Sequence, residues 1–290
     1  MDVLITGGTG QVGGALARLD WPEGTRVHAP SRAELDLTDP SSIERAVSER
    51  SWSAIVSCGA YTAVDRAEAE IALAWNVNAV APALLAAASG RAGIPIVHVS
   101  TDYVFSGEKA APYVETDPVA PINVYGASKE GGEQGIRTGN ARHVIVRTAW
   151  VVSSTGSNFV KTMLRVGRER EELRVVSDQR GCPTSATDLA AALQTATIRI
   201  MQDPAASTGT FHFVNAGEAT WSELASSVFR FSAELGGPSS RVTPIRTEDY
   251  PTPARRPRNS RLSTKRLEEE YGVAPRPWWE AVREIVAELS

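Results

Sequence analysis

Short apolar runs alternate with longer stretches of helical periodicity along the first half of the chain. Val3-Leu4-Ile5, residues 26–29, Ala54–Ser57 and residues 94–100 are brief, rich in β-branched residues and expected as strands. Between them, residues 11–19, residues 41–50 and the alanine-rich stretch 65–89 are expected as helices, the second capped by Asp39 or Ser41. No hairpin turn joins successive strands. The units are therefore βαβ, and the sheet they build is parallel and covered on both faces. The expected fold class is α/β, a doubly wound parallel sheet.

The second half is less regular. A loop rich in Pro, Gly and acids (residues 106–121) precedes a helix expected to open at Tyr125 and run to about Arg137, and residues 143–147 read as another strand. Residues 159–172, 187–201 and 221–235 are expected as helices, with strands at 173–176 and 211–214. The run from Tyr250 to Pro257 holds three prolines and cannot be helical in its middle. Trp278-Trp279 is read as packing for the last helix. Residues 1–150 are expected to form mainly the sheet domain. Residues 151–290 are expected to form mainly a smaller C-terminal α/β domain, with some segments returning to the sheet.

Composition narrows the function classes. The 290 residues are 42% hydrophobic and 22% charged, with net charge −4. That charge gives no basic field for nucleic acid or an anionic membrane, so neither is an expected partner. Cys58 and Cys182 have no metal-ligand spacing and read as reduced thiols. The four histidines lie singly in or beside strands, and no metal site is expected. The N-terminus does not read as a signal peptide. No apolar run approaches the roughly 18 residues that span a bilayer, and a cytoplasmic location is expected.

The chemistry begins at Thr6-Gly7-Gly8-Thr9-Gly10-Gln11-Val12-Gly13, directly after a strand and opening a helix. Gly7, Gly10 and Gly13 permit a tight turn and close backbone approach. With Gln11 and Val12 starting the helix, the loop suits the pyrophosphate of a dinucleotide in a Rossmann-type domain. The second strand ends in Ala29-Pro30-Ser31-Arg32, with no acid to hold a ribose 2′-hydroxyl. Ser31 and Arg32 suit a 2′-phosphate instead, so NADPH is the expected cofactor and NADH the alternative. Asp36 and Leu37 follow as the adenine contact. Ala60, Tyr61, Thr62 and Val99 complete the cofactor set. Tyr125 and Lys129 lie one helical turn apart, and Thr101 lies one segment upstream. Brought together, they offer a phenol, a cation and a hydroxyl for moving a proton to or from a carbonyl oxygen.

These elements, in this order and spacing, resemble the extended short-chain dehydrogenase/reductase superfamily. Within it the chain is most similar to the dTDP-4-dehydrorhamnose reductase family. Thr62-Ala63-Val64-Asp65, Arg147-Thr148-Ala149-Trp150, residues 158–164 and residues 251–262 carry that closer likeness. The resemblance implies a C-terminal substrate-binding domain and NAD(P)H-dependent reduction of the C4 ketone of dTDP-4-dehydro-L-rhamnose to dTDP-L-rhamnose. It implies Tyr125 as proton donor, Lys129 holding the nicotinamide ribose and depressing the Tyr125 pKa, and Thr101 bonding the substrate oxygen. Thr101, Asp102, Trp150 and Asn158 are the implied sugar contacts, and Arg255 and Arg256 the implied diphosphate contacts. Tyr103 stands where related dehydratases carry a glutamate, which disfavours dehydration. Gly14-Ala15-Leu16 offers no carboxylate where some of these reductases bind Mg²⁺ at a dimer interface. Monomer and homodimer both stay open, as does reduction of another dTDP-4-keto-6-deoxy sugar, for example to 6-deoxy-L-talose. A non-catalytic regulatory subunit of the same fold is the remaining alternative.

Overall fold

The computed structural model describes all residues, 1–290. Six strands form the main sheet: β1 (Asp2–Thr6), β2 (Arg26–His28), β3 (Ala54–Ser57), β4 (Ile96–Thr101), β5 (His143–Thr148) and β6 (Gly209–His212). Their spatial order is β2-β1-β3-β4-β5-β6, with every neighbouring pair parallel. The chain moves outward from β1 to β2, then returns across β1 to build β3 and the rest. The connections after β1 and β3 therefore diverge, opening a crevice at the carboxyl ends of those strands.

Period-two alternation divides the core between the two faces. Val3, Ile5, Val56, Val97, Val144 and Val146 meet the helices Gln11–Arg18 and Ala186–Gln202 on one side. Leu4, Ile55, Ile96 and Ile145 meet Pro40–Ser48, Ala81–Arg91 and Val124–Gly139 on the other. Asp39 caps the Pro40–Ser48 helix by accepting from the Ser41 amide at 2.9 Å.

The helix expected over 65–89 is not one element. A short turn of helix, Val64–Ala67, is separated from a second helical run that begins at Ile71 and continues through a π-helical segment, Asn76–Val80, into Ala81–Arg91. The break lets Asp65 and Glu68 turn towards other segments: Glu68 accepts from the Val124 amide at 2.9 Å. The run Ile71–Arg91 is 21 residues long and holds an 18-residue window of mean hydropathy 1.6, so an apolar helical stretch of about 18 residues is present where the sequence reading expected none. Its small residues serve helix packing. Gly131, Gly132, Gly135 and Gly139 line the Val124–Gly139 helix where it meets Trp75, Asn78, Ala83 and Ala86, and a Cβ at Gly132 would stand 2.1 Å from the Asn78 carbonyl oxygen.

A second core lies in the later half. Helices Phe159–Gly167, Trp221–Glu234 and Trp278–Leu289 pack Val160, Leu164, Leu224, Phe229, Val282 and Ile285 together over a parallel strand pair, Glu172–Val176 with Arg241–Ile245. The Phe159 helix stops at Gly167, five residues before the expected end, because Glu172 already belongs to the strand. Trp278 packs into this core, whereas Trp279 is 46% exposed and does not.

The glycine seam sets two adjacent positions apart. Gly132→Ala would drive its methyl into backbone, and a loss of about 1–3 kcal/mol is expected. Gly131→Ala would meet the ring of Trp75, a partly exposed side chain with room to move. With about 1 kcal/mol of helix propensity gained, it is expected to be neutral or mildly stabilising. Urea unfolding of both variants checks the contrast.

Candidate active site

The loop after β1 is shaped by its glycines. Gly7 has φ +70°, and a Cβ there would fall 2.7 Å from Gly59 at the end of β3; one at Gly13 would fall 2.4 Å from the Gly7 carbonyl oxygen. The Gly59 amide donates to Thr6 Oγ1 at 3.1 Å, which ties the two strand ends together. This leaves a cradle of bare backbone at a helix N-terminus, the arrangement that accepts a pyrophosphate. The Gln11 side chain does not face that cradle alone: its Oε1 accepts from Ser153 Oγ at 2.8 Å and Asn158 Nδ2 at 2.9 Å. Val12 packs against the core.

At the end of β2, the Arg32 side chain is 78% exposed and its closest acid is Asp36, at 3.9 Å. The Ser31 amide is occupied by Glu34 Oε2 at 2.7 Å. Asp36 bends the following turn by accepting from both the amide and the hydroxyl of Thr38, each at 2.8 Å. Those bonds hold its carboxyl below the usual range. Leu37 lies against Gly59, whose missing side chain makes the room. Ala60, Tyr61 and Thr62 leave β3 beside it. Asn78, from the π-helical segment, clamps Tyr61 by accepting from its amide at 2.8 Å and donating to its carbonyl at 3.0 Å, and also donates to Ser128 at 3.0 Å. Sequence reading missed Asn78. A π-helical bulge often marks a functional site, but nothing in an alanine-rich stretch announces one.

The Val124–Gly139 helix begins at Asn123, whose side chain accepts from the Gly126 amide at 2.8 Å. The helix presents Tyr125 and Lys129 to the end of β4. Lys129 is buried and donates to the Val99 carbonyl at 2.7 Å, with His98 Nε2 at 3.5 Å. Burial lowers its pKa to about 8, against the opposing charge of Glu133. His98 is held neutral by burial and by Lys129. Burial pushes the Tyr125 phenol up to about 12; the Thr101 hydroxyl pulls it down and the Asp102 charge pushes it further up. The expectation that Lys129 depresses this pKa fails for the protein as it stands: the Lys129 proton bonds go to backbone, and desolvation of the phenol dominates.

Beneath Lys129 lies a buried ion pair. Glu133, fully buried, takes two bonds from Arg147 on β5 (Nε at 2.8 Å, a terminal nitrogen at 2.7 Å), one from Ser100 Oγ at 2.6 Å and one from Arg137 at 2.5 Å. Thr101 and Asp102 follow Ser100 and are both buried. Thr101 Oγ1 accepts from the Tyr103 amide at 3.2 Å and lies 3.0 Å from Asp102 Oδ1. The edge of the Tyr103 ring meets Tyr125, with centroids 5.5 Å apart.

The other wall comes from the later half. Trp150 is the one non-glycine residue with positive φ, +49°. Its ring stacks on Trp221 with centroids 3.5 Å apart, and a Cβ at Gly181 would fall 2.3 Å from it. Asn158 caps the Phe159 helix and spends its amide on Gln11 and the Ser153 carbonyl. Arg255 is exposed, and its carbonyl is held by Asn123 at 2.8 Å. Arg256 donates to Asp65 at 2.8 Å, and one buried terminal nitrogen of its guanidinium has no partner. Both arginines line a cavity of about 580 Å³ with Arg246, Arg258, Asp178, Thr247 and Glu248. Arg246, Arg258 and Trp221 were not legible as site residues. No cluster of three or more His, Cys, Asp or Glu side chains is present to hold a metal.

The whole chain, residues 1–290, matches the family described as RmlD substrate binding domain. A dTDP-4-dehydrorhamnose reductase of Sinorhizobium fredii is 42% identical over 99% of this chain and 97% of its own length. Two solved structures are also similar, each at 37% identity. One, a dTDP-4-dehydrorhamnose reductase from Clostridium acetobutylicum, has a TM-score of 0.93 and covers 100% of this chain and 99% of its own. The other, the enzyme from Bacillus anthracis in complex with NADP, has a TM-score of 0.91 and covers 99% of both chains.

Burying Lys129 leaves a signature in stability. Its pKa is about 8 when folded against an ordinary value of 10.5, so between those values the unfolded chain holds the extra proton and folding becomes more favourable as pH rises. The penalty is full below pH 8 and gone above 10.5, on the order of 3 kcal/mol. Lys129→Met is therefore expected to lose turnover without losing stability at pH 7. The advantage of the variant over wild type should shrink across that window, as chemical denaturation measured against pH will show.

Proposed function

The chain belongs to the dTDP-4-dehydrorhamnose reductase family, and on that premise we propose that it reduces the C4 ketone of dTDP-4-dehydro-L-rhamnose, with NADPH as hydride source and Tyr125 as proton donor. The observation that carries the reading is the Tyr125 phenol, kept protonated at neutral pH by burial and set beside Thr101 at the carboxyl edge of the sheet. A reductase needs its acid loaded before hydride arrives, and a phenol with a raised pKa meets that requirement. Proton donation of this kind contributes about 10²–10⁴ in rate.

The glycine cradle fits a dinucleotide diphosphate, because side chains at Gly7 and Gly13 would fill it. The exposed Arg32, with only Asp36 at long range, is available to a 2′-phosphate. When bound there, NADPH supplies the hydride. Lys129 supports the acid indirectly: its ammonium stays charged below pH 8 and places positive charge at the Val99 edge of the crevice. Thr101 offers its hydroxyl to the C4 oxygen, where negative charge develops. Trp150, fixed against Trp221 and Gly181, provides an aromatic wall for the sugar, and the arginine-lined cavity takes the diphosphate.

Tyr125→Phe is expected to lower turnover by 10²-fold or more while binding NADPH as wild type does, measured by NADPH oxidation and by fluorescence titration; near wild-type turnover would reject Tyr125 as the donor. Arg32→Ala is expected to weaken NADPH while leaving NADH unchanged. Equal losses for both cofactors would remove Arg32 from the 2′-phosphate site.

A further inference from the structure

Thr101 has one proton and two lone pairs to distribute. One lone pair is committed to the Tyr103 amide at 3.2 Å, and the hydroxyl is 3.0 Å from Asp102 Oδ1. If Asp102 is ionised it can only accept, so it draws the Thr101 proton towards itself and away from any substrate oxygen. If Asp102 is neutral it donates instead. Both Thr101 lone pairs are then filled, and the Thr101 proton has to point elsewhere, towards the Tyr125 phenol oxygen or a substrate oxygen beside it. The direction of this one bond therefore decides whether Thr101 is a donor in the reaction.

We propose that Asp102 is a positioning residue whose neutral carboxyl donates to Thr101 Oγ1 and thereby turns the Thr101 proton onto the C4 oxygen of the sugar. The inference rests on the reading of Thr101 and Tyr125 given above and adds to it the state in which Asp102 works.

Burial and an unpartnered oxygen favour that state. Asp102 is 3% exposed, and its second oxygen, Oδ2, is buried with no hydrogen-bond partner. A charged carboxylate oxygen with neither donor nor water is costly, whereas a neutral one is tolerated. No cation pairs with it. The titratable groups facing it are Tyr103 and Tyr125 on its own side of the crevice and Cys182 from the later half, all neutral at physiological pH. Hydrogen bonds from Ser260, from Thr101 and from the backbone amides of Asp102 and Tyr103 favour the charged form, but no donor satisfies Oδ2. Burial, the largest influence, raises its pKa to about 7. The neutral carboxyl is thus dominant below neutrality and lost above it. Ionisation of Asp102 also raises the Tyr125 pKa, making the phenol a weaker acid.

The test is the pH profile of kcat/KM for NADPH oxidation with dTDP-4-dehydro-L-rhamnose, which reports groups in the free enzyme. Wild type should lose activity above a limb near pH 7, separate from the Lys129 limb near 8. Asp102→Asn keeps a neutral donor in place, so the limb near 7 should vanish from its profile, a change read from the shape of the curve and not from its height. Below pH 7, Asp102→Ala should fall about 10²-fold, the scale of a lost oxyanion donor, and the deficit should shrink above the limb, where wild type loses the same donor. An infrared difference between wild type and Asp102→Asn should show a protonated-carboxyl carbonyl band below pH 7 that disappears above it.

A limb unchanged in Asp102→Asn, or absent from wild type, would overturn the inference, as would the absence of the infrared band, which does not depend on turnover. With any of these results, an inactive Tyr125→Phe would leave the underlying reading standing, whereas an active one would remove both.

Discussion

Glu133 and Arg147 form an ion pair sealed from water, and the geometry of the crevice hangs from it. Glu133 lies one turn beyond Lys129 on the helix that carries Tyr125; Arg147 projects from β5, and Ser100, which also bonds Glu133, ends β4 beside Thr101. Three elements therefore meet at one carboxylate, which fixes how the helix is rotated about its axis. Such a pair costs several kcal/mol per charge in desolvation, and a well-packed apolar pair is often as stable. Its return is orientation. Two parallel bonds from a planar guanidinium permit one arrangement, and that arrangement points Tyr125 and Lys129 at the end of β4. The glycine seam completes the constraint by setting how deeply the helix can seat.

Much of the sheet domain was legible because its signals are local. Alternating β-branched residues specify strands, and a glycine loop between a strand and a helix specifies a turn whose backbone must stay bare. The helical run after β3 was misread because alanine is compatible with helix throughout. Nothing local shows that Asp65 and Glu68 are needed by residues near 254 and 124. Lys129 was found by spacing, but its effect on Tyr125 was not. That effect depends on where its ammonium finds acceptors, and the Val99 carbonyl competes for it. Asn78, His98 and Trp221 act through partners 17 to 71 residues away, from Asn78–Tyr61 to Trp150–Trp221, and no window of sequence holds both ends.

Trp150 shows a different economy. A bulky side chain at positive φ carries strain of about 1–3 kcal/mol, recovered here by stacking on Trp221 and by the gap that Gly181 leaves. The aromatic wall is rigid before anything binds. On the opposite side, Gln11 gives its side-chain oxygen to Ser153 and Asn158, so the loop of the first β-α turn is bonded directly to the domain that faces it.

The tail from Thr252 to Leu262 is where the most distant parts of the chain converge. Ala254 and Arg256 reach Asp65, the Arg255 carbonyl holds the cap of the Tyr125 helix, and Asn259 takes the carbonyls of Lys109 and Ala111. Backbone bonds from Arg180 to Arg258 and from Ser260 to Arg180 add the second core to the same strap. On the ribosome this order matters, since domains fold as their residues emerge. The glycine loop and the strands through β5 are available early, whereas the strap that gathers the crevice does not exist until about 260 residues have been made. A nascent chain can thus hold its nucleotide cradle well before it can hold its sugar pocket, and a ribosome stalled short of the strap leaves a cradle and its catalytic side chains with no closed pocket for the sugar.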